Sequence, residues 1–388
     1  MTPSMQNASY WVGGDVPWIS SGDVKVAHLT ETSYSVTTEA VTQGRTTLIP
    51  ARSIVLVVRS GILRKFLPVA MTMVPMAINQ DIKALAPFPG YDADFLLHAL
   101  IGAGPKILGS CLKSGTTVES IELSWLKAFA LPLPPTEAEQ RAIAAALSDV
   151  DALLAGLDRL IAKKRDLKHA AMQQLLTGRT RLPGFRGDWE ITSLGAHGVT
   201  YGGLVAKRKE DFGAGDARYV TFMNVMSNVV VDSAALGRVY VSPSESQTLL
   251  RRGDLLFNGS SETPEEVAFC SVLLEDVPEL YLNSFCFGYR PHARSGVDPL
   301  FVAYLFRSQV GREMVKSLAQ GSTRYNISKG ALMGARVALP HLTEQLAISS
   351  LLSDMDAELV ALEARRVKTR AIKQAMMQVL LTGRVRLV

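Results

Sequence analysis

Few residues in this chain have the types and spacing for site chemistry, and most of those are basic. Lys207-Arg208-Lys209 lies in a glycine-flanked stretch, and Arg251-Arg252 precedes a strand-like run. Gly321-Ser322-Thr323-Arg324 stands before a Leu-Pro element, and Gly115-Thr116-Thr117 occupies the matching place earlier in the chain. Small hydroxyl residues and backbone amides suit phosphate oxygens, and an arginine fork matches the O6 and N7 edge of guanine. The chemistry on offer is recognition of a polyanion. A basic run also makes an ordinary solvated turn, and for each cluster both readings stand.

No catalytic set competes with them. DFGAGD (211–216) offers a GxG, but it follows the charged KRKE instead of an apolar strand, and the (N/D/S)PP(Y/F/W) tetrapeptide of amino-methyltransferases is absent. The chain has no GxxxxGK(S/T) loop, no HExxH and no GxSxG. Cys111, Cys270 and Cys286 are scattered, without a CxxC pair or a histidine cluster, so they read as buried thiols in a reducing compartment and no metal is expected. The expectation is a chain that is not an enzyme and binds no cofactor of its own.

Composition sets the frame. The 388 residues suffice for two or three domains, with 47% hydrophobic and 20% charged residues typical of globular proteins. A net charge of +5 permits a polyanionic partner without demanding one. The N-terminus lacks a basic start and an apolar run, and the most apolar region (54–78) is interrupted by Arg59, Arg64, Lys65, Pro68 and Pro75. No membrane partner is expected, and a cytoplasmic location is.

The elements that must position these clusters come in two copies. A shift of 205 residues pairs Glu139-Gln140 with Glu344-Gln345, Leu147-Ser148-Asp149 with Leu352-Ser353-Asp354, and Thr177-Gly178-Arg179 with Thr382-Gly383-Arg384. About half of the positions between 139 and 182 are identical to their partners. A shift of 206 extends the match upstream, to Leu133-Pro134 with Leu339-Pro340. The order is A–B–A′–B′, with B closely matched and A divergent.

Segment B predicts a long helix over about 137–176, on the order of 60 Å at ~1.5 Å per residue. Leu147, Val150, Leu154, Leu157 and Ile161 alternate spacings of three and four, and Leu352, Met355, Leu359 and Leu362 repeat the seam. Thr136 or Ser148 supplies the start signal, and Gly178 and Gly383 are placed to end the helices. Neither stripe buries itself alone, so the two helices are expected to pack as an antiparallel coiled coil with a pseudo-twofold axis. The seam turns polar at Lys164, Lys168, Arg366, Thr369 and Lys373, which fixes register or marks a docking place. In the A segments, strand-like runs at 53–58, 70–79, 218–225, 229–233 and 254–259 mix with helical ones at 92–102, 298–318 and 328–334. That mixture predicts compact α+β domains.

Two variable globular domains alternating with near-identical long helices resemble the specificity subunit of Type I restriction–modification systems. LPLPPTEAEQRAIAAALSDVDALL followed by LLTGRTRLPGF is typical of that family's central conserved region, and LPHLTEQLAISSLLSDMDAEL with LLTGRVRL resembles the distal one. GSTRYNIS (321–328) resembles the end of a target recognition domain. The resemblance implies a first target recognition domain over 1–134, a central helical spacer over 135–182, a second recognition domain over 183–340 and a C-terminal spacer over 341–388. In one respect the chain departs from the pattern. The second domain opens with GDWEITSLGAHGVTYGG (187–203), whereas the first is N-terminally short and has no such stretch.

The family implies a non-catalytic reader of double-stranded DNA, each domain taking one part of a split, asymmetric site, with the helices as ruler and docking surface. Two methyltransferase subunits, holding S-adenosylmethionine, and the restriction and translocase subunits are the implied partners. Two rivals remain at this point: a subunit of a related system with a fused methyltransferase–nuclease, and a coiled-coil scaffold with two protein-binding modules.

Overall fold

A computed structural model describes residues 2–86, 88–113 and 118–387. The chain divides into two compact units, Met1–Arg159 with Ala364–Val388, and Leu160–Glu363. Both are mixtures of helix and strand, as the α+β expectation requires.

The first unit is built on strand β1 (Ile54–Val57), which pairs antiparallel with β2 (Val69–Thr72) on one side and with β3 (Ile82–Leu85) on the other. All four residues of β1 are buried because the strand is covered on both faces. Ile54 and Leu56 face a cluster with Phe95, Leu97 and Leu100 of helix α1 (Ala93–Cys111), while Val55 and Val57 face Ile19, Ile78 and Ile82. A second sheet orders Tyr34–Val36, Val16–Ile19, Met76–Ile78 and Thr47–Ile49. The apolar run 70–79 is two strands, not one, because Pro75 lies in the Met73–Pro75 turn between them. Helix α1 runs past the expected end at Gly102 and through Pro105 to Cys111.

Helix α2 (Glu137–Leu175) starts in this unit. Thr136 caps it, its hydroxyl accepting from the Glu139 amide at 3.3 Å. Ile143, Ala144 and Leu147 enter the first unit's core together with Leu380 and Leu381.

In the second unit, β4 (Glu190–Ser193) and β5 (Gly198–Gly202) open the fold. The main sheet then uses β6 (Leu255–Asn258), β7 (Cys270–Val272) and β8 (Cys286–Pro291), in the order β5-β8-β6-β7. The expected strand 218–225 ends at Val220. Thr221 caps a short helix, Phe222–Ser227, by accepting from the Asn224 amide at 3.1 Å. The run 229–233 contributes only a bridge between Val230 and Val272. The expected helix 298–318 is two helices, α3 (Pro299–Arg307) and Gln309–Leu318, broken at Ser308. Gly311 makes the break possible, since a Cβ there would lie 1.9 Å from the Leu305 carbonyl oxygen. Strand β9 (Arg336–Leu339) pairs antiparallel with β4. Helix α4 (Leu342–Leu380) then begins, and its Ile348 and Leu352 join Leu175 and Leu176 in the second core.

Along the predicted seam, Leu147, Leu157, Ile161, Leu352 and Leu359 are buried, and Val150, Leu154, Met355 and Leu362 are half-buried. The polar continuation forms ion pairs between antiparallel helix segments. In the first unit Lys373 reaches Asp151 at 2.6 Å and Arg366 reaches Asp158 at 3.0 Å. In the second, Lys164 reaches Glu358 at 2.7 Å, and Lys168 and Arg165 pair with Asp356 and Glu363. Gly178 and Gly383 follow the two helices with φ of +69° and +72°, the left-handed conformation that glycine tolerates best.

Candidate nucleic-acid interface

The basic clusters of the second unit stand on separate supports. Arg251 and Arg252 are exposed on a turn leading into β6, beside a groove of about 520 Å³ that Arg290 and His292 also line. The turn is held from below by Asp254, a buried carboxylate. It accepts from Arg290 Nε at 2.8 Å and Nη2 at 2.6 Å, from the Tyr201 hydroxyl at 2.6 Å and from the Arg251 amide at 2.8 Å. The Asp254 hydrogen bond raises the Arg290 pKa, and burial followed by the Asp254 charge raises that of Tyr201. Arg290 is therefore spent on Asp254, whereas Arg251 and Arg252 project their charges into water.

Lys207-Arg208-Lys209 does not act as one patch. Lys207 is drawn inward, with its side chain only 2% exposed. Its ammonium donates to the Tyr240 carbonyl at 2.6 Å and to Glu245 at 2.7 Å, and holds the Glu245 pKa at about 2. A buried lysine needs such partners, so Lys207 secures the loop while Arg208 and Lys209 remain exposed. Gly321-Ser322-Thr323-Arg324 forms the exposed tip of a tight loop closed by Gln320 and Asn326, whose amides and carbonyls pair at 2.8 and 2.9 Å. Gly321 has φ of +123°, and a Cβ there would lie 2.2 Å from the Arg324 carbonyl oxygen. The loop rests on Ser260 and Ser261, paired with Asn326 and Tyr325. Among the described residues no hydrogen bond or ion pair joins any two of these clusters. In the first unit Gly115, Thr116 and Thr117 lie outside the described residues.

DFGAGD is no phosphate loop. Asp211 closes a short turn, and the rest lies in an irregular strand, Phe212–Val220, whose register against Gly237–Val239 shifts between Phe212 and Ala217. Among the described residues no His/Cys/Asp/Glu cluster is arranged to hold a metal, and no helix is long and apolar enough to cross a membrane. The three cysteines are free and buried; burial pushes the Cys286 thiol up to about 12.

Several structural anchors escaped the sequence reading. Gln345 receives the Asp298 amide at 2.9 Å and donates to the carbonyls of Pro340 at 2.8 Å and Gly296 at 3.0 Å. In the first unit Gln140 receives the Asp92 amide at 2.9 Å and donates to Pro134 at 3.2 Å. The buried Glu344 pairs with Arg181 through both carboxylate oxygens, and the buried Glu139 pairs in the same way with Arg386. These hydrogen bonds raise both arginine pKa values. The signal was present: Glu-Gln is repeated 205 residues apart, but spacing alone does not say what it holds. Arg307 and Arg312 carried no signal. Both lie over the Phe269 ring, at 5.0 and 4.6 Å, and donate to backbone carbonyls of Cys270 and Ala268. Burial lowers both pKa values, that of Arg312 to about 10.

Residues 2–163 match the Type I restriction modification DNA specificity domain. The Type I restriction enzyme EcoR124I/EcoR124II specificity subunit of Escherichia coli is 38% identical over 142 residues, which cover 37% of this chain and 35% of that relative. The MjaVIII specificity subunit of Methanocaldococcus jannaschii is 24% identical over 311 residues, 72% of this chain and 68% of its own. The match thus spans about a third of the bacterial relative and two thirds of the archaeal one. Among solved structures, the S subunit of a Type I restriction–modification system from M. genitalium shares the fold with a TM-score of 0.56 and 15% identity, over 98% of this chain and 92% of that one. A structure from a study of complex assembly in the type I system aligns with a TM-score of 0.58 and 17% identity, over 96% and 92%. Residues 2–163 are thus similar to a Type I restriction modification DNA specificity domain, and the chain shares the fold of Type I restriction–modification S subunits.

Proposed function

We propose that the chain reads double-stranded DNA without acting on it, each unit taking one part of a divided site and the long helices serving as spacer and docking surface. The observation that carries this reading is the double construction. In both units a counterpart Gln ties the start of a long helix to the α+β portion and a counterpart Glu–Arg pair ties it to the stretch that follows the other long helix, while the sequences of the two α+β portions differ. A constant frame with changed loops suits two readers of different sequence. In the second unit Arg251, Arg252, Arg324, Ser322 and Thr323 are the candidate contacts, with Arg208 and Lys209 beside them.

The chemistry falls to partners: two methyltransferase subunits, holding S-adenosylmethionine and methylating adenine, and restriction and translocase subunits. In support, α2 exposes Leu153, Leu160 and Leu167 at intervals of seven, and α4 exposes Val360 and Val367. Apolar side chains repeated along the outside of a helix are suited to a covering partner.

The test is binding of duplex DNA by the chain assembled with its methyltransferase, across a range of salt. Affinity should fall steeply as salt rises, and Arg251→Ala and Arg252→Ala should each lower the slope by about one if they meet phosphates. Salt-insensitive or absent binding would sink the reading and favour a protein scaffold.

A further inference from the structure

Asn79 and Asn283 hold the same turn in the two units. The Asn79 side-chain oxygen accepts from the Asp81 amide at 3.0 Å, and that of Asn283 accepts from the Phe285 amide at 2.9 Å. An Asn used in this way fixes the residue two places on. The backbone around the turn repeats as well. The Asn79 amide donates to the Ile19 carbonyl at 3.3 Å, and the Asn283 amide to that of Val220 at 3.1 Å. The Asp81 carbonyl receives the Val58 amide at 2.8 Å, as the Phe285 carbonyl receives the Gly259 amide at 3.0 Å. Val58 in turn accepts from Ile121 at 2.8 Å, and Gly259 from Ile327 at 3.2 Å. The next residues are bridged antiparallel in both units, Arg59 to Ser120 and Ser260 to Asn326. Asp81 and Phe285 are therefore counterpart positions, each at the end of a central strand.

The frame is constant at this place and the side chain is not. Phe285 is 64% exposed, a large apolar ring standing in water. Its carbonyl holds the strand end that Asn326 and Ile327 also hold, so it neighbours the loop whose tip carries Ser322, Thr323 and Arg324. Asp81 is a half-buried carboxylate lining a groove of about 580 Å³ together with Arg59, Lys83 and Lys113. Lys113 is engaged there by Glu122 at 2.7 Å, while Arg59 is exposed. The two side chains suit different base edges. The apolar feature of the major-groove edges is the C5-methyl group of thymine, which matches an exposed ring. A carboxylate is repelled by phosphates and by the acceptor oxygens of guanine and thymine. In the major groove its donors are cytosine N4 and adenine N6.

We propose that Asp81 and Phe285 are equivalent specificity-determining positions, one in each reader. Phe285 selects thymine through its methyl group, and Asp81 selects a base with an exocyclic amino group, cytosine or adenine. The inference rests on the reading of the chain as a divided-site DNA reader. The asparagine turn sets where each side chain stands, and the side chain sets which base is accepted. One backbone device thus serves two different sequence elements, with a single residue changed between them.

The test is a methylation map of a host genome, made with the full chain and its methyltransferase for the parent and for Phe285→Ala, Phe285→Leu and Asp81→Ala. In Phe285→Ala, preference for thymine at one position of one element should fall by about tenfold. Phe285→Leu, which keeps an apolar contact, should retain most of it. Asp81→Ala should relax one position of the other element, where the parent selects cytosine or adenine. A divided motif that neither alanine variant alters overturns the inference and leaves the reading of the chain standing. So does a uniform loss of methylation with the motif intact, a change by both variants in the same element, or relaxation by Phe285→Leu as strong as by Phe285→Ala. A parent map without a divided motif sinks the reading itself.

Discussion

In the first unit His98 of α1 meets Ser148 of α2 at 3.2 Å, and in the second Tyr304 of α3 donates to Asp356 of α4 at 2.8 Å. His98 and Tyr304 are counterpart positions on counterpart helices, a titratable imidazole in one and a phenol in the other, though their partners differ, since the counterpart of Ser148 is Ser353. The Gln anchors repeat more faithfully, and so do the leucines beneath them. At the rim the units part: one covers its sheet edge with β5, whereas among the described residues no strand covers the edge of the other. The lesson is that similarity between the halves grows toward the helices and fades toward the surface that would meet a ligand. That gradient is expected of a molecule whose frame is constant and whose reading loops are not.

The comparison is tested most forcefully in the cores. Leu147→Ala and Leu352→Ala each open a cavity at a fully buried counterpart position, and each should cost about 2–5 kcal/mol in denaturant unfolding. Equal losses sustain the equivalence of the two interiors; a loss in only one would break it. Gln345→Ala leaves the Asp298 amide and two carbonyls without a partner and should cost about 1–3 kcal/mol. Gln140→Ala strands one carbonyl fewer and should cost less.

Acid should separate the units. Burial, followed by the Lys373 charge, lowers the His98 pKa from its ordinary 6.5, against the opposing pull of Asp151 and Asp94; His28 adds to the lowering. The folded first unit therefore resists a proton that the unfolded chain accepts. Its stability should fall as pH drops below about 6.5, by at most about 1.4 kcal/mol per pH unit, until the lowered folded pKa is passed. Hydrogen exchange at pH 7.5 and 5.5 should show the loss in the first unit, and His98→Phe should remove it. The smallest effect is expected from Lys168→Ala and Lys373→Ala, partly exposed members of matched ion pairs. Each should cost under about 1 kcal/mol, less at high salt, by thermal melting.

Much of this frame was legible because helix periodicity and an internal repeat are strong signals. The span of α2, its Thr136 cap and its closing Gly178 follow from residue types whose backbone preferences are local. The strands were read less well. Residues 218–225 look like one β run, but Thr221 is better placed as a cap, and a hydroxyl that satisfies a free amide outweighs β propensity. Among the basic residues, sequence did not separate Lys207 from Arg208 and Lys209. The difference lies in Glu245, 38 positions away, whose approach is a tertiary event. Arg307 and Arg312 were invisible for the same reason, since their partners are backbone carbonyls brought together only by folding.

The central claim is that one chain holds two separate readers, and a methylation map tests it most directly. The chain is co-expressed with its methyltransferase, and modified adenines are mapped across the host genome for the parent and for a variant with Ser322, Thr323 and Arg324 replaced by alanine. Two short sequence elements at a fixed separation are predicted, with only one of them relaxed in the variant. A single continuous motif, no motif, or simultaneous change in both elements would contradict the account.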